Sequence, residues 1–261
     1  FCSLFAVGLF AQSAPNFFQR VQESEITAAR RGASPRSHKP LAYQTWKLDY
    51  TAVQNALKSA PWEVTPAARH HTCTLAIPLA GGVTEDFAVW QTAMMEPELA
   101  ARHPYIHTYA GESLQNPGKM VRISTTARGF EAMIMRADLG VEFVEPYTFD
   151  QQEYYLVYDK TDAPADPNAH LRTDMIPSSV PLATADQQPF TPRIVERGPL
   201  LETVKLKVYR YAVSTTSGFS EDHGGTLESV LSAVVNYTNQ VSAVFERDIA
   251  MRLQLIANEE K

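Results

Sequence analysis

The chain has 261 residues, 44% of them hydrophobic, with a formal charge of −6 and a pI near 5.7. That is enough apolar material for one or two packed cores. It excludes the basic surface that nucleic acid or an anionic membrane requires of a partner. The first predicted feature is the run Phe1 to Ala14, apolar and ending in small residues. Ala11 and Ser13 suit the minus-three and minus-one positions of a signal-peptidase site, so residues 1–13 read as the remnant of a signal peptide and the protein as secreted. The run is too short to cross a bilayer as a helix, and no other stretch has the length and apolarity to do so. The basic segment that opens such a peptide does not precede it, so a longer precursor is expected. Cys2 leaves with this peptide, and Cys73 then stands alone without a disulfide framework.

Residues 14–42 show no clear periodicity and read as a flexible N-terminal segment. From 43 to 160 the pattern is that of a β-rich domain. Leu48 to Leu57 reads as a short helix stopped at Ala60-Pro61. Thr72 to Pro78 alternates, Gly81-Gly82 turns the chain, and Phe87 to Trp90 reads as the next strand. Pro97 to Arg102 is a short helix with proline in its first turn. Tyr105 to Tyr109, Met120 to Ile123, Gly129 to Met135, Val141 to Glu145 and Tyr154 to Tyr158 follow as strands between Gly, Pro and charged turns. Many short strands at close spacing predict a curved antiparallel sheet or a partly closed barrel. Residues 161–201 carry seven prolines, from Pro164 to Pro199, and almost no apolar periodicity, which predicts an extended linker open to a processing protease. Arg193, Arg197 and Ala29-Arg30-Arg31 are basic points where such cleavage can fall, but they read as solvated charges before they read as processing sites.

The segment 202–261 is patterned differently. Val204, Leu206 and Val208 alternate with lysines, as in a half-buried strand. Gly224-Gly225-Thr226 breaks the chain and offers an N-cap. Leu227, Val230, Leu231, Val234, Tyr237, Val241, Val244 and Phe245 then mark one apolar helix face. After Glu246-Arg247-Asp248, the residues Ile249, Met251, Leu253 and Leu255 alternate again. Strand, helix, strand predicts a crossover with parallel strands. One helix cannot bury both faces of that sheet, so a further covering layer is expected beyond Lys261, and without it this unit is expected to be the less stable half.

The order and wording of this unit resemble the opening of the catalytic domain of secreted reprolysin-like (adamalysin-type) zinc metallopeptidases, the bacterial ones above all. The residues that carry the likeness are Tyr209 to Val213, Phe219 to Thr226, Val241 to Phe245, Glu246 to Ile249 and Arg252-Leu253. A second likeness, to the propeptide domain that precedes such catalytic domains, covers most of 46–160. It rests on Trp46 to Tyr50, Leu57 to Pro61, Ile77 to Leu79, Phe87, Met95 to Ala100, His103 to Ile106, Thr108 to Gly111, Arg128 to Met133 and Glu145 to Tyr147. Together they imply an α+β chain: a β-rich antiparallel propeptide domain, then the first β-α-β unit of an α/β metzincin catalytic domain. The resemblance further implies a zymogen whose propeptide assists folding and covers the cleft by contact with the catalytic domain. It implies protein or peptide substrates and zinc for the complete enzyme, held by three histidines of H-E-x-x-H-x-x-G-x-x-H with the glutamate activating water.

No such motif occurs here, so no catalytic or metal-ligating residue is assigned, no zinc is expected on this chain itself, and it is expected to be inactive as it stands. Cys73 lies in phase with Leu75 and Ile77, where a free cysteine behaves as a small core residue more often than as a zinc-blocking thiolate. His70 and His71 point to opposite faces of a strand and do not share an ion easily. His103 and His107 share a face only on a helix, and Pro104 argues for a strand. His223 reads as a loop cap. Asp159, Asp162, Asp166 and Asp174 read as solvated acids before they read as a calcium site. The alternative to a peptidase precursor is a non-enzymatic exported β-rich binding or adhesion module with an aromatic platform of Tyr105, Tyr109, Tyr147, Phe149, Tyr154, Tyr155 and Tyr158.

Overall fold

A computed structural model describes residues 14–29, 39–70, 72–148, 152–163, 193–195 and 205–258. The expected signal peptide and most of the proline-rich linker therefore lie outside the described residues. So do Arg30, Arg31, His38, His71, Phe149, Asp166, His170, Asp174 and Arg197.

In chain order the elements are β1 (Phe18–Arg20), α1 (Glu23–Ala29), β2 (Gln44–Leu48), α2 (Tyr50–Leu57), a 3-10 turn (Pro66–His70), β3 (Thr74–Pro78), β4 (Thr84–Thr92) and α3 (Pro97–Arg102). Then come β5 (His107–Ser113), β6 (Met120–Thr126), β7 (Gly129–Met135), β8 (Val141–Pro146), β9 (Tyr154–Asp159) and a 3-10 turn (Lys160–Asp162). Further along follow β10 (Arg193–Val195), inside the expected linker, and then β11 (Leu206–Tyr211), α4 (Ser217–Asp222), α5 (Leu227–Ile249) and β12 (Met251–Leu255). No helix among the described residues is long and apolar enough to cross a membrane.

Strands β1 to β9 form one antiparallel sheet in the order β1-β2-β9-β8-β7-β6-β5-β4-β3. The hairpin succession from β3 to β9 makes a meander, and its two outer edges approach each other. Ala76 N donates to Pro15 O at 3.1 Å, joining the chain ahead of β1 to β3. The expected partly closed barrel is thus what forms. Helix α2, capped by Asp49 whose Oδ1 accepts from Ala52 N at 2.9 Å, packs Tyr50, Val53 and Leu57 into the concave face. There they meet Phe18, Trp46, Phe87, Tyr109, Phe130 and Tyr155. Gly111 on β5 permits the tight approach of β4, since a Cβ there would lie 2.5 Å from Ala88 O.

Three expectations change. The segment 14–42 is not uniformly flexible: it holds β1, paired with β2, and α1, with Phe18, Val21 and Ile26 buried. Short elements anchored by only a few buried residues leave little periodicity to read. Arg193, taken for an open linker site, begins a strand paired antiparallel with β11. Ile249 ends α5 rather than opening the last strand, because Ala250 closes the helix in the left-handed conformation at φ 52°.

Strands β11 and β12 pair in parallel, Val208 beside Arg252 and Tyr211 beside Leu255, with α5 as their crossover. Thr226 caps α5 as read, its side chain accepting from Ser229 N at 3.2 Å. The covering layer expected beyond Lys261 comes in part from the N-terminal sheet. The outer faces of β6 and β7 lie against α5, where Met133 and Met135 pack on Ala243. This explains why β7 is buried along its whole length: Phe130, Ala132 and Ile134 face inward, Met133 and Met135 outward. The N-terminal sheet also lends a strand segment, for Leu255 N donates to Met94 O and Glu96 N to Leu255 O, both at 2.8 Å.

Candidate functional site

The residues weighed from the sequence are scattered. Cys73 is buried, its Sγ 3.8 Å from Ala56 O, and burial pushes its thiol up, so it sits as a core residue. His103 caps α3, with Nδ1 3.2 Å from the Tyr105 hydroxyl. His107 lies on β5, as the strand reading required, and burial lowers its pKa. His223 caps α4, stacks on Phe219 at 4.0 Å and places Nε2 3.1 Å from the Tyr237 hydroxyl. Asp159 accepts from Arg136 Nη1 at 2.6 Å and caps the turn behind it. Among the described residues no three His, Cys, Asp or Glu side chains converge on one point. The donors among the described residues therefore do not fit a tetrahedral zinc site. Of the aromatic platform, Tyr109, Tyr154, Tyr155 and Tyr158 are buried, Tyr155 completely, and Tyr105 and Tyr147 are half-buried.

What the fold does bring together lies between the two sheets. A cavity of about 580 Å³ is lined by Trp62, Val64, Met94, Met95, Ile106, His107 and Val208, with Glu63, Arg252 and Gln254 among its polar groups. Its polar groups are engaged with one another and with backbone. Arg252 forks onto both carboxylate oxygens of Glu63, with Nη2 to Oε2 at 2.8 Å. Its other side grips Glu246, Nε to Oε1 at 2.5 Å and Nη2 to Oε2 at 3.1 Å. Glu246 then accepts from Arg122 Nη2 at 2.6 Å. Burial opposes the Arg252 charge, but Glu246 and Glu63 more than offset that and hold its pKa above the ordinary range. The result is a charge-balanced ladder, Arg122–Glu246–Arg252–Glu63, running from β6 through α5 and β12 to the chain ahead of β3. Its side chains are nearly all removed from solvent, those of Arg122 and Glu246 to 1% exposure.

In the sequence Glu246 and Arg252 stand only within the reprolysin-like likeness, and nothing there joins them to Glu63 and Arg122. A signal did exist. Arg122 interrupts an apolar strand between Val121 and Ile123, and Arg252 and Gln254 alternate with Met251, Leu253 and Leu255. Polar residues on one face of a strand that is apolar on the other mark a solvated face or a polar interface. The pattern does not say which.

Residues 205–261 match the family model of the metallo-peptidase family M12B, reprolysin-like. The matched stretch begins one residue before β11 and takes in α4, α5 and β12. No curated protein matches the chain.

Proposed function

Because residues 205–261 carry reprolysin-like metallopeptidase sequence, we propose that the chain is the N-terminal part of a secreted zinc metalloendopeptidase precursor. In this reading residues 43–160 are the propeptide domain, 161–201 the linker where processing occurs, and 202–261 the opening of the catalytic domain. Zinc and the water-activating glutamate belong to sequence outside this chain, and the substrates are proteins or peptides. The observation that carries the reading is that the matched segment folds as a parallel strand–helix–strand unit seated on the outer face of the N-terminal sheet. A propeptide needs such a contact to guide or cover its enzyme.

The test begins with the reading frame beyond Lys261. It is expected to encode H-E-x-x-H-x-x-G-x-x-H, and the full-length processed protein should cleave a quenched-fluorescence peptide library in a chelator-sensitive way. Residues 14–261 alone should show no such cleavage. A stop soon after Lys261, or a continuation lacking the triad, ends the peptidase reading. Export is checked by N-terminal sequencing of the protein recovered outside the cell, with a start near Ala14 expected.

A further inference from the structure

The cavity between the two sheets encloses about 580 Å³, within the range of sites that take small molecules. Met94, Met95 and Ile106 wall it on one side and Val208 on the other. Its charged and amide groups have nothing to spare. Arg252 is committed to Glu63 and Glu246. Gln254 Nε2 donates to Ala93 O at 3.2 Å and Met95 O at 3.4 Å, and Gln91 Nε2 to Ala60 O at 2.9 Å. The Thr108 hydroxyl donates to Thr92 O at 2.8 Å. A charged occupant would lose its water here and gain no counter-charge. The mouth is different. Trp62 and Val64 stand there 51% and 63% exposed, large apolar side chains open to solvent beside an apolar space. His107 lines the cavity as well. Its ring donates to Pro104 O, and desolvation lowers its pKa and keeps the imidazole neutral. The second ring nitrogen of a neutral imidazole is an acceptor.

We propose that this cavity is a binding site for an uncharged, ring-bearing small molecule that carries one hydroxyl or N–H group. The indole of Trp62 offers a face to the ring, and the thioethers of Met94 and Met95 suit an aromatic neighbour. The hydroxyl or N–H of the ligand donates to the acceptor nitrogen of His107. A peptide strand does not fit, because the backbone edge of β12 beside the cavity is taken. Leu255 N and O are bonded to Met94 and Glu96, and Leu253 N and O to the Ser242 hydroxyl at 3.2 and 3.4 Å. Trp62 and His107 come from the N-terminal sheet region and Val208 from the C-terminal unit, so an occupant stabilises the two halves together. The site stands or falls independently of zinc chemistry and of the peptidase reading.

The experiment is calorimetric titration of the purified full chain at neutral pH with 2-naphthol and, separately, with 2-naphthoate, the same ring carrying a full charge. 2-Naphthol is expected to bind at a single site with a negative heat-capacity change. 2-Naphthoate should bind more weakly by about tenfold or more. Trp62→Ala should weaken 2-naphthol by about tenfold, and His107→Phe by about fivefold through loss of the acceptor. Both side chains are exposed, so neither is needed to hold the core. If Trp62→Ala fails to fold, Val64→Asp at the same mouth carries the test with the same expected loss. No binding at millimolar 2-naphthol, or 2-naphthoate binding as tightly, would overturn the proposal. Unchanged affinity in the mouth variant would do so too, since the probe would then sit elsewhere, and unchanged affinity in His107→Phe would strike the donor group from the ligand.

Discussion

At the scale of single residues, what decides behaviour is who shares the buried space. Cys73 is chemically a possible ligand, but its position under α2 makes it a core residue. Glu23 shows the opposite case, a surface residue with an unusual environment. It accepts a bond from Lys39 Nζ, from the Tyr43 hydroxyl at 2.7 Å and from the Tyr147 hydroxyl at 2.8 Å. The bond from Lys39 first, then that from Tyr43, lowers its pKa from 4.5 to about 2. A carboxylate with a depressed folded pKa contributes stability above its unfolded value and loses it as pH falls through the folded one. The contribution of Glu23 should thus be complete above pH 4.5 and vanish toward pH 2. Urea titrations at stepped pH check this: Glu23→Gln should be less stable than wild type at pH 6, and the gap should close by pH 2.

At the scale of elements, α5 carries the main lesson. Its apolar stripe is plain in the sequence, yet Leu227, Tyr237 and Val241 on that stripe are exposed, Val241 to 44%, while the polar stripe opposite is buried. The residues that anchor α5 are Leu231, at one margin of the expected face, with Val235 and Ala243 beside it, while Val234 and Val244 of that face pack only partly buried. Val235→Ala should accordingly destabilise the protein by about 2 kcal/mol, as removal of well-packed methyls does. Val241→Ala should change stability by no more than about 0.5 kcal/mol. Thermal denaturation of the two variants separates the faces, and equal losses would show that the stripe visible in the sequence is the packed one after all.

At the scale of the whole molecule, the N-terminal sheet and the C-terminal unit support each other. A strand–helix–strand unit read alone has one covered face and looks marginal. Here the second cover is β6 and β7, joined by a strand segment along β12 and a buried charge ladder. Amide hydrogens of 231–246 should therefore exchange as slowly as those of β6 and β7 in the intact chain, which native-state exchange read by mass spectrometry resolves. Early exchange confined to α5 would show that the cover adds nothing. The meander, the short helix Pro97–Arg102 and the parallel crossover were all legible from local pattern, because period-two and period-3.6 repeats and turn residues report backbone geometry directly. So was the reprolysin-like likeness of 205–261, which is carried by residue order. By itself the sequence determined the class of each unit and the elements inside it. Only the tertiary structure decided which face of α5 is buried, that Arg122, Glu246, Arg252 and Glu63 form one ladder, and that Tyr109, Tyr154, Tyr155 and Tyr158 of the proposed aromatic platform are core. The reason is physical: periodicity shows that a helix or strand has two unlike faces, whereas the choice of neighbour depends on contacts between residues more than a hundred positions apart.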